Sequence, residues 1–311
     1  MTYKKLIPFI IVGLGLVLTG CGQSNSSNKK ESTTDKIQAI ATFYPMYEFT
    51  KEVLGDEGEV SLLIPAGTEP HDYEPSAKDM AKIAKSDVFV YNSQELESWV
   101  TSAQKNLDPK HTLVIEAAST IALEESGDHE TEEDGHNHSE DPHVWTDPVL
   151  AVKEVQEIET RLAAQYPAKK AIFEKNADAY IKELEQLNTK YQEAFKGATH
   201  RTFVTQHAAF SYLAHQYDLT QESITGISAE QEPSPSRLAE LKTYVKEHDV
   251  RVIYFEENAS SKVAETLSNE TGVELAVLNP LESLTKKQMD AGETYISIME
   301  QNLEALKKSI Y

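Results

Sequence analysis

Asp141-Pro-His-Val-Trp-Thr-Asp-Pro148 divides this chain of 311 residues into two halves that follow one pattern. It sets a single histidine, His143, between two Asp/Pro punctuators. An acidic, histidine-bearing stretch runs up to it, and the longest helical pattern in the sequence begins after it. On either side, short apolar runs alternate with amphipathic ones. That alternation predicts parallel sheets covered by helices rather than sandwiches or bundles.

Upstream, strands are expected over residues 37–43, 59–64, 87–91 and 112–116, with helices over 46–54, 76–85 and 96–106. Gly55 supplies a stop signal, and Ser76 with Asp79 three residues later a helix start. Residues 124–141 break the pattern. Half of them are acidic, three are His and none is basic, which reads as a mobile surface loop. Downstream, Val149, Val152, Val155, Ile158 and Leu162 recur at helical spacing, and so do Phe173, Tyr180, Leu184, Leu187, Tyr191 and Phe195. Pro167 lacks an amide donor and should split the run in two. The second part, residues 168–195, would span about 40 Å at about 1.5 Å per residue, long enough to connect two lobes. Strands then follow over 201–205, 221–227, 251–255 and 274–278, with helices over 208–217, 236–248, 260–271 and 290–308. The expected fold class is α/β: two (β/α) Rossmann-like lobes, residues 37–147 and 199–311, joined by helices in 148–198 that include one long rigid helix.

The formal charge is −22. Removing residues 1–20, which carry Lys4 and Lys5 and no acid, takes away two positive charges and leaves −24. Such a surface argues against nucleic acid and suits an extracytoplasmic protein or a cation ligand. The one cysteine, Cys21, rules out an internal disulfide framework and a thiolate zinc site. Its setting is informative. Lys4 and Lys5 precede an apolar run over 6–18 that is too short for a comfortable membrane span, and Leu18-Thr-Gly-Cys21 resembles the bacterial lipobox. Residues 1–20 then read as a lipoprotein signal peptide, Cys21 as the lipidated residue, and 21–36 as a flexible Ser/Asn/Lys-rich tether.

Four side chains share a structural address. His71 lies in the loop after the second strand, and His143 at the junction between lobes. His207 comes two residues after the strand ending at Thr205. Glu282 comes just past the strand ending near Leu278. Ligands of open parallel sheets bind outside the carboxyl ends of the strands. Three imidazoles and a carboxylate are a donor set that suits four-coordinate zinc. Singly each is a weak candidate, since a lone loop histidine is usually surface decoration. Asp72, Glu74, Asp147 and Asn279 are near enough in sequence to accept the second ring N–H of a ligand histidine.

Gly67-Thr-Glu-Pro-His-Asp-Tyr-Glu-Pro75, Asp141-Pro-His-Val-Trp-Thr-Asp-Pro148, Thr205-Gln-His-Ala-Ala-Phe-Ser-Tyr212 and Asn279-Pro-Leu-Glu282 resemble the metal-binding motifs of the cluster A-I substrate-binding proteins of bacterial zinc and manganese ABC transporters. The similarity runs from about residue 37 to the C-terminus. It implies two lobes joined by one rigid helix, with a metal buried between them on His71, His143, His207 and Glu282. Manganese members replace the third histidine with a carboxylate and the Glu with an Asp, so this chain matches the zinc side; imidazole favours Zn2+ and carboxylate Mn2+. The resemblance further implies a monomeric, non-enzymatic carrier, lipid-anchored at the outer face of a Gram-positive cell membrane, that hands Zn2+ to an ABC permease and its ATPase. His129, His136 and His138 would form a metal-capture loop. The alternatives are a manganese carrier, a surface adhesin, and a zinc hydrolase in which Glu282 is a general base rather than a ligand.

Overall fold

Two four-stranded sheets, every pairing parallel, carry the fold, and they have the same strand order. The structure, a computed structural model, describes residues 36–126 and 140–311. Cys21 and the loop histidines His129, His136 and His138 lie outside the described residues.

The first sheet is built from β1 (Ile37–Ala41), α1 (Tyr44–Leu54), β2 (Gly58–Leu62), α2 (Ala77–Ile83), β3 (Val88–Tyr91), α3 (Val100–Gln104) and β4 (Leu113–Glu116). Its order is β2-β1-β3-β4. The chain therefore starts in the middle, moves outward to β2, then crosses back to β3, so the winding reverses between β1 and β3. Val88-Phe-Val-Tyr91 is buried throughout, as a central strand covered on both faces must be. β2, at the edge, alternates between more and less buried positions. Ser76 and Asp79 form the reciprocal cap expected at the start of α2. The helix expected over 96–106 contracts to α3, because Glu97 turns inward and accepts the backbone N–H groups of Asn92 and Ser93.

Past His143 come α4 (Pro148–Gln165) and α5 (Lys170–Phe195), parted at Pro167 as expected. α5 buries Phe173, Ala177, Tyr180, Leu184, Leu187, Tyr191 and Phe195 at steps of three and four. It packs against α1 of the first lobe and against the C-terminal helix of the second. Asn176 Nδ2 donates to Val53 O at 3.1 Å near one end, and the Tyr191 hydroxyl to Met299 O at 2.7 Å near the other. A helix of 26 residues is about 39 Å long at about 1.5 Å per residue.

The second sheet repeats the first with β5 (Thr202–Thr205), α6 (Ser211–Gln216), β6 (Thr220–Ser223), α7 (Pro235–Glu247), β7 (Val252–Phe255), α8 (Lys262–Thr271) and β8 (Glu274–Val277), in the order β6-β5-β7-β8. The helix expected over 290–308 is α10 (Tyr295–Ile310), and a short helix that was not expected, α9 (Lys286–Asp290), precedes it. Gly292 takes φ +74 beyond the end of α9, and Thr294 opens α10 with a reciprocal cap to Ser297. One continuous apolar cluster runs from β1 through α4, α5 and α10 to β7, with smaller clusters on the outer faces of the two sheets. No described helix is long and apolar enough to cross a membrane.

Candidate metal centre

His71, His143, His207 and Glu282 meet at one point, with a donor atom from each lying within 4.8 Å of the others. The outer two, His71 and Glu282, stand 211 positions apart in the sequence. Glu282 Oε1 lies 3.2 Å from His71 Nε2, 3.0 Å from His143 Nε2 and 3.1 Å from His207 Nε2; His71 Nε2 lies 3.1 Å from His143 Nε2. A tetrahedral zinc site with metal–donor distances of about 2.0–2.1 Å has edges of about 3.3–3.4 Å. Four of the six separations among these donors are thus close to the spacing such an ion imposes. His143 and His207 are fully buried and Glu282 nearly so, whereas the His71 side chain keeps 10% of its surface exposed. His71 is therefore the donor on the solvent side.

Each histidine is aimed by its surroundings. The loop carrying His71 is turned by Glu69, whose carboxylate accepts the His71 backbone N–H at 3.0 Å. Asp141 Oδ1 accepts both the backbone N–H of His143, at 2.9 Å, and its ring Nδ1–H, at 2.7 Å. His207 Nδ1 is paired with the buried carboxylate of Glu256, and the backbone carbonyl of His207 accepts from Thr205 Oγ1 at 2.7 Å and Gln221 Nε2 at 3.0 Å. A carboxylate on Nδ1 fixes the proton there and leaves the Nε2 lone pair facing the centre.

These partners differ from the sequence expectation. Asp147 instead caps α4 by accepting Val149 N–H, and Asn279 Oδ1 accepts Leu281 N–H. Asp141 also departs from the mobile acidic stretch assigned to it. It is 3% exposed, because the imidazole of His143 and the Ser211 hydroxyl supply the partners its charge needs. The first residues of that stretch join the last through a bridge between Glu125 and Glu140.

The electrostatics follow from burial set against pairing. Burial pushes the His207 imidazole toward the neutral form, yet Glu256 and Glu282 together override it and hold its pKa well above the usual value. For His143, burial is likewise outweighed by Asp141 and Glu282. Burial would raise Glu282, but the charge of His207 and hydrogen bonds from three imidazoles hold it well below the usual carboxylate range. His71, with no carboxylate on its other nitrogen to offset burial, is lowered. Glu69, at the mouth of the site, is pushed up to about 8 by burial and by the nearby charge of Glu282.

Among the described residues no other His, Cys, Asp or Glu group is drawn together in this way. His215 pairs with Glu124 at the surface, and His248 stacks on Tyr244.

Residues 40–309 match the family described as zinc-uptake complex component A, periplasmic (ZnuA). The chain is 51% identical over 311 residues to the zinc-binding lipoprotein AdcA of Streptococcus pneumoniae, covering 98% of this chain and 61% of that protein, so it spans about three fifths of that relative's length. It is 48% identical over 307 residues to the high-affinity zinc uptake system protein ZnuA of Bacillus subtilis, covering 97% of this chain and 96% of that one. The crystal structure of the Zn(II)-bound ZnuA-like domain of S. pneumoniae AdcA superposes with a TM-score of 0.77 at 51% identity, over 88% of this chain and 99% of that one.

Proposed function

The chain belongs to the zinc-uptake complex component A family, and from that premise we propose that it captures Zn2+ outside the cytoplasm on His71, His143, His207 and Glu282 and delivers it to an ABC permease and its ATPase. The observation that carries this is the position of Glu282 Oε1, within 3.0–3.2 Å of all three Nε2 atoms. At that spacing the carboxylate is a fourth ligand. A hydrolase would need it set back as a base beside a metal-bound water. Four protein donors close the coordination sphere, which suits binding without chemistry. Three imidazole nitrogens against a single carboxylate favour Zn2+ over Mn2+.

In this reading residues 1–20 are a lipoprotein signal peptide, Cys21 carries the lipid that holds a monomer at the outer face of a cell membrane, and 21–36 is the tether. The lobes are residues 37–147 and 199–311, with 148–198 the connector. Support for the anchor comes from the sequence around Cys21 and from relatives named lipoproteins in Gram-positive bacteria. Because α5 is packed against both lobes, release proceeds by movement of a ligand-bearing loop rather than by wide hinge opening. His71, the donor nearest solvent, is the first to let go. His129, His136 and His138 would form a loop that captures zinc loosely and passes it on.

The test is zinc stoichiometry and affinity of the purified protein by competition with a chromophoric chelator. One zinc per chain is expected, and the bound ion should be lost when His71, His143, His207 or Glu282 is changed to Ala. Retention of stoichiometric zinc by the Glu282→Ala and His207→Ala variants would remove the basis of the proposal.

A further inference from the structure

The loop that presents Glu282 is gripped on both sides of the ligand. Leu281 has φ +64, in the left-handed region that side chains other than Gly, Asn and Asp rarely adopt. It is fully buried, and its N–H donates to Asn279 Oδ1 at 2.8 Å. Asn279 is held in turn by Asn302 of α10. The Asn279 N–H donates to Asn302 Oδ1 at 2.9 Å, and Asn302 Nδ2 donates to Asn279 O at 2.7 Å. One orientation of the Asn302 carboxamide satisfies both bonds, and the flipped orientation would satisfy neither. Asn302 is 3% exposed and sits mid-helix, where asparagine is a poor helix former and a buried amide is costly unless fully bonded. It belongs to the second helix after Glu282 and lies outside the four-donor group.

We propose that Asn302 is a positioning residue for the metal ligand Glu282. Its carboxamide locks Asn279, Asn279 locks Leu281 in the left-handed turn, and that turn aims Glu282 Oε1 at the three imidazoles. The strain is held before the ion arrives. A chain without the clamp relaxes at Leu281 while metal-free and must restore the turn to bind, which lowers affinity. The inference rests on the zinc-capture reading above. If Asn302 merely fills the core, its loss lowers stability and leaves the zinc affinity of the folded protein alone.

The experiment uses the full chain with zinc alone, read by chelator competition and by the thermal midpoint of the metal-free form. Asn302→Leu should weaken zinc binding about tenfold, or about 1.4 kcal/mol. Leu281→Gly and Leu281→Ala both delete the buried side chain, but only the alanine keeps the strain. The glycine variant should therefore bind zinc several-fold more tightly than the alanine variant. Asn302→Leu should also cost less affinity when combined with Leu281→Gly than alone. An Asn302→Leu protein with a lowered midpoint but zinc affinity within about twofold of the parent, or a Leu281→Ala variant binding as tightly as Leu281→Gly, overturns the proposal. Should Asn302→Leu not fold, the Leu281 pair decides alone. Failure of the parent chain to bind zinc would instead sink the capture reading.

Discussion

Glu256 is the residue through which donor strength and proton competition at this site can be separated. Its carboxylate is 5% exposed and paired with His207 Nδ1, and its backbone N–H donates to Gln206 Oε1 at 3.2 Å, so it is fixed at the end of β7. It acts on zinc affinity in two opposed ways. It makes the Nε2 lone pair of His207 a better donor, and removing such a partner lowers affinity by about 10–100-fold, or about 1.4–2.7 kcal/mol. It also raises the pKa of His207 in the metal-free protein, so a proton occupies the position the metal needs. Zinc must expel that proton, which costs affinity at any pH below the raised value.

Glu256→Gln keeps the shape and an acceptor for Nδ1–H while removing the charge. Above the raised pKa of His207 the proton penalty vanishes and the loss of donor strength dominates, so there the variant should bind zinc about tenfold or more weakly than the parent. As pH falls through that raised pKa, the parent loses affinity first, because its His207 takes up a proton at a higher pH than the variant's. The gap between the two therefore narrows with acidification. Zinc competition titrations at several pH values read both quantities. A ratio below about twofold at the alkaline end of the titration, or one that widens as pH falls, refutes the reasoning.

Other consequences are more direct. Glu282→Ala removes a donor rather than its support and should cost more than the roughly 100-fold upper end of outer-sphere effects, measured by the same competition; a smaller loss would make Glu282 an onlooker. The metal-free protein should be most stable where Glu282 is ionised and His207 protonated. The Glu282 contribution is lost as pH falls through its lowered pKa, and the His207 contribution as pH rises through its raised one. The thermal midpoint without metal should therefore fall on both sides of that window, while the increment added by zinc grows with pH; a metal-free midpoint that rises steadily into alkali would contradict this. Glu154 in α4 is fully buried, no group among the described residues bonds either of its carboxyl oxygens, and burial together with Glu97 raises its pKa well above the usual range. Its folded form holds a proton that the unfolded form gives up, so stability drains away as pH rises above about 4.5. Glu154→Met should add about 1–3 kcal/mol at pH 8 and less at pH 5; denaturant midpoints showing no gain at pH 8 would rule this out.

The sequence exposed the four candidate donors and concealed the groups that orient them, for a reason that lies in the sheet topology. His71, His143, His207 and Glu282 are polar residues just after apolar runs or at the lobe junction, so their placement, joined to the motifs around them, brought them forward. Asp141 is only two residues from His143, but it closes an acidic run whose composition reads as a solvated loop. Glu256 is 49 positions from His207, and nothing local to Phe255-Glu-Glu marks it. The order β6-β5-β7-β8 does mark it. β5 and β7 are neighbours at the point where the winding reverses, so the first residue past β7 faces the loop that leaves β5, and that loop carries His207. The first lobe has the same address, between β1 and β3. There the first residue past β3 is Asn92, buried, whose Nδ2 donates to Pro142 O at 2.9 Å and holds the loop carrying His143. In both lobes, then, the residue at the reversal point grips a loop that carries a candidate donor: by its charge on the ring in one, and by an amide on the backbone in the other. Once the strand order is known, that position can be found by counting one residue past each returning strand. Without it, Asn92 and Glu256 are two polar residues among many.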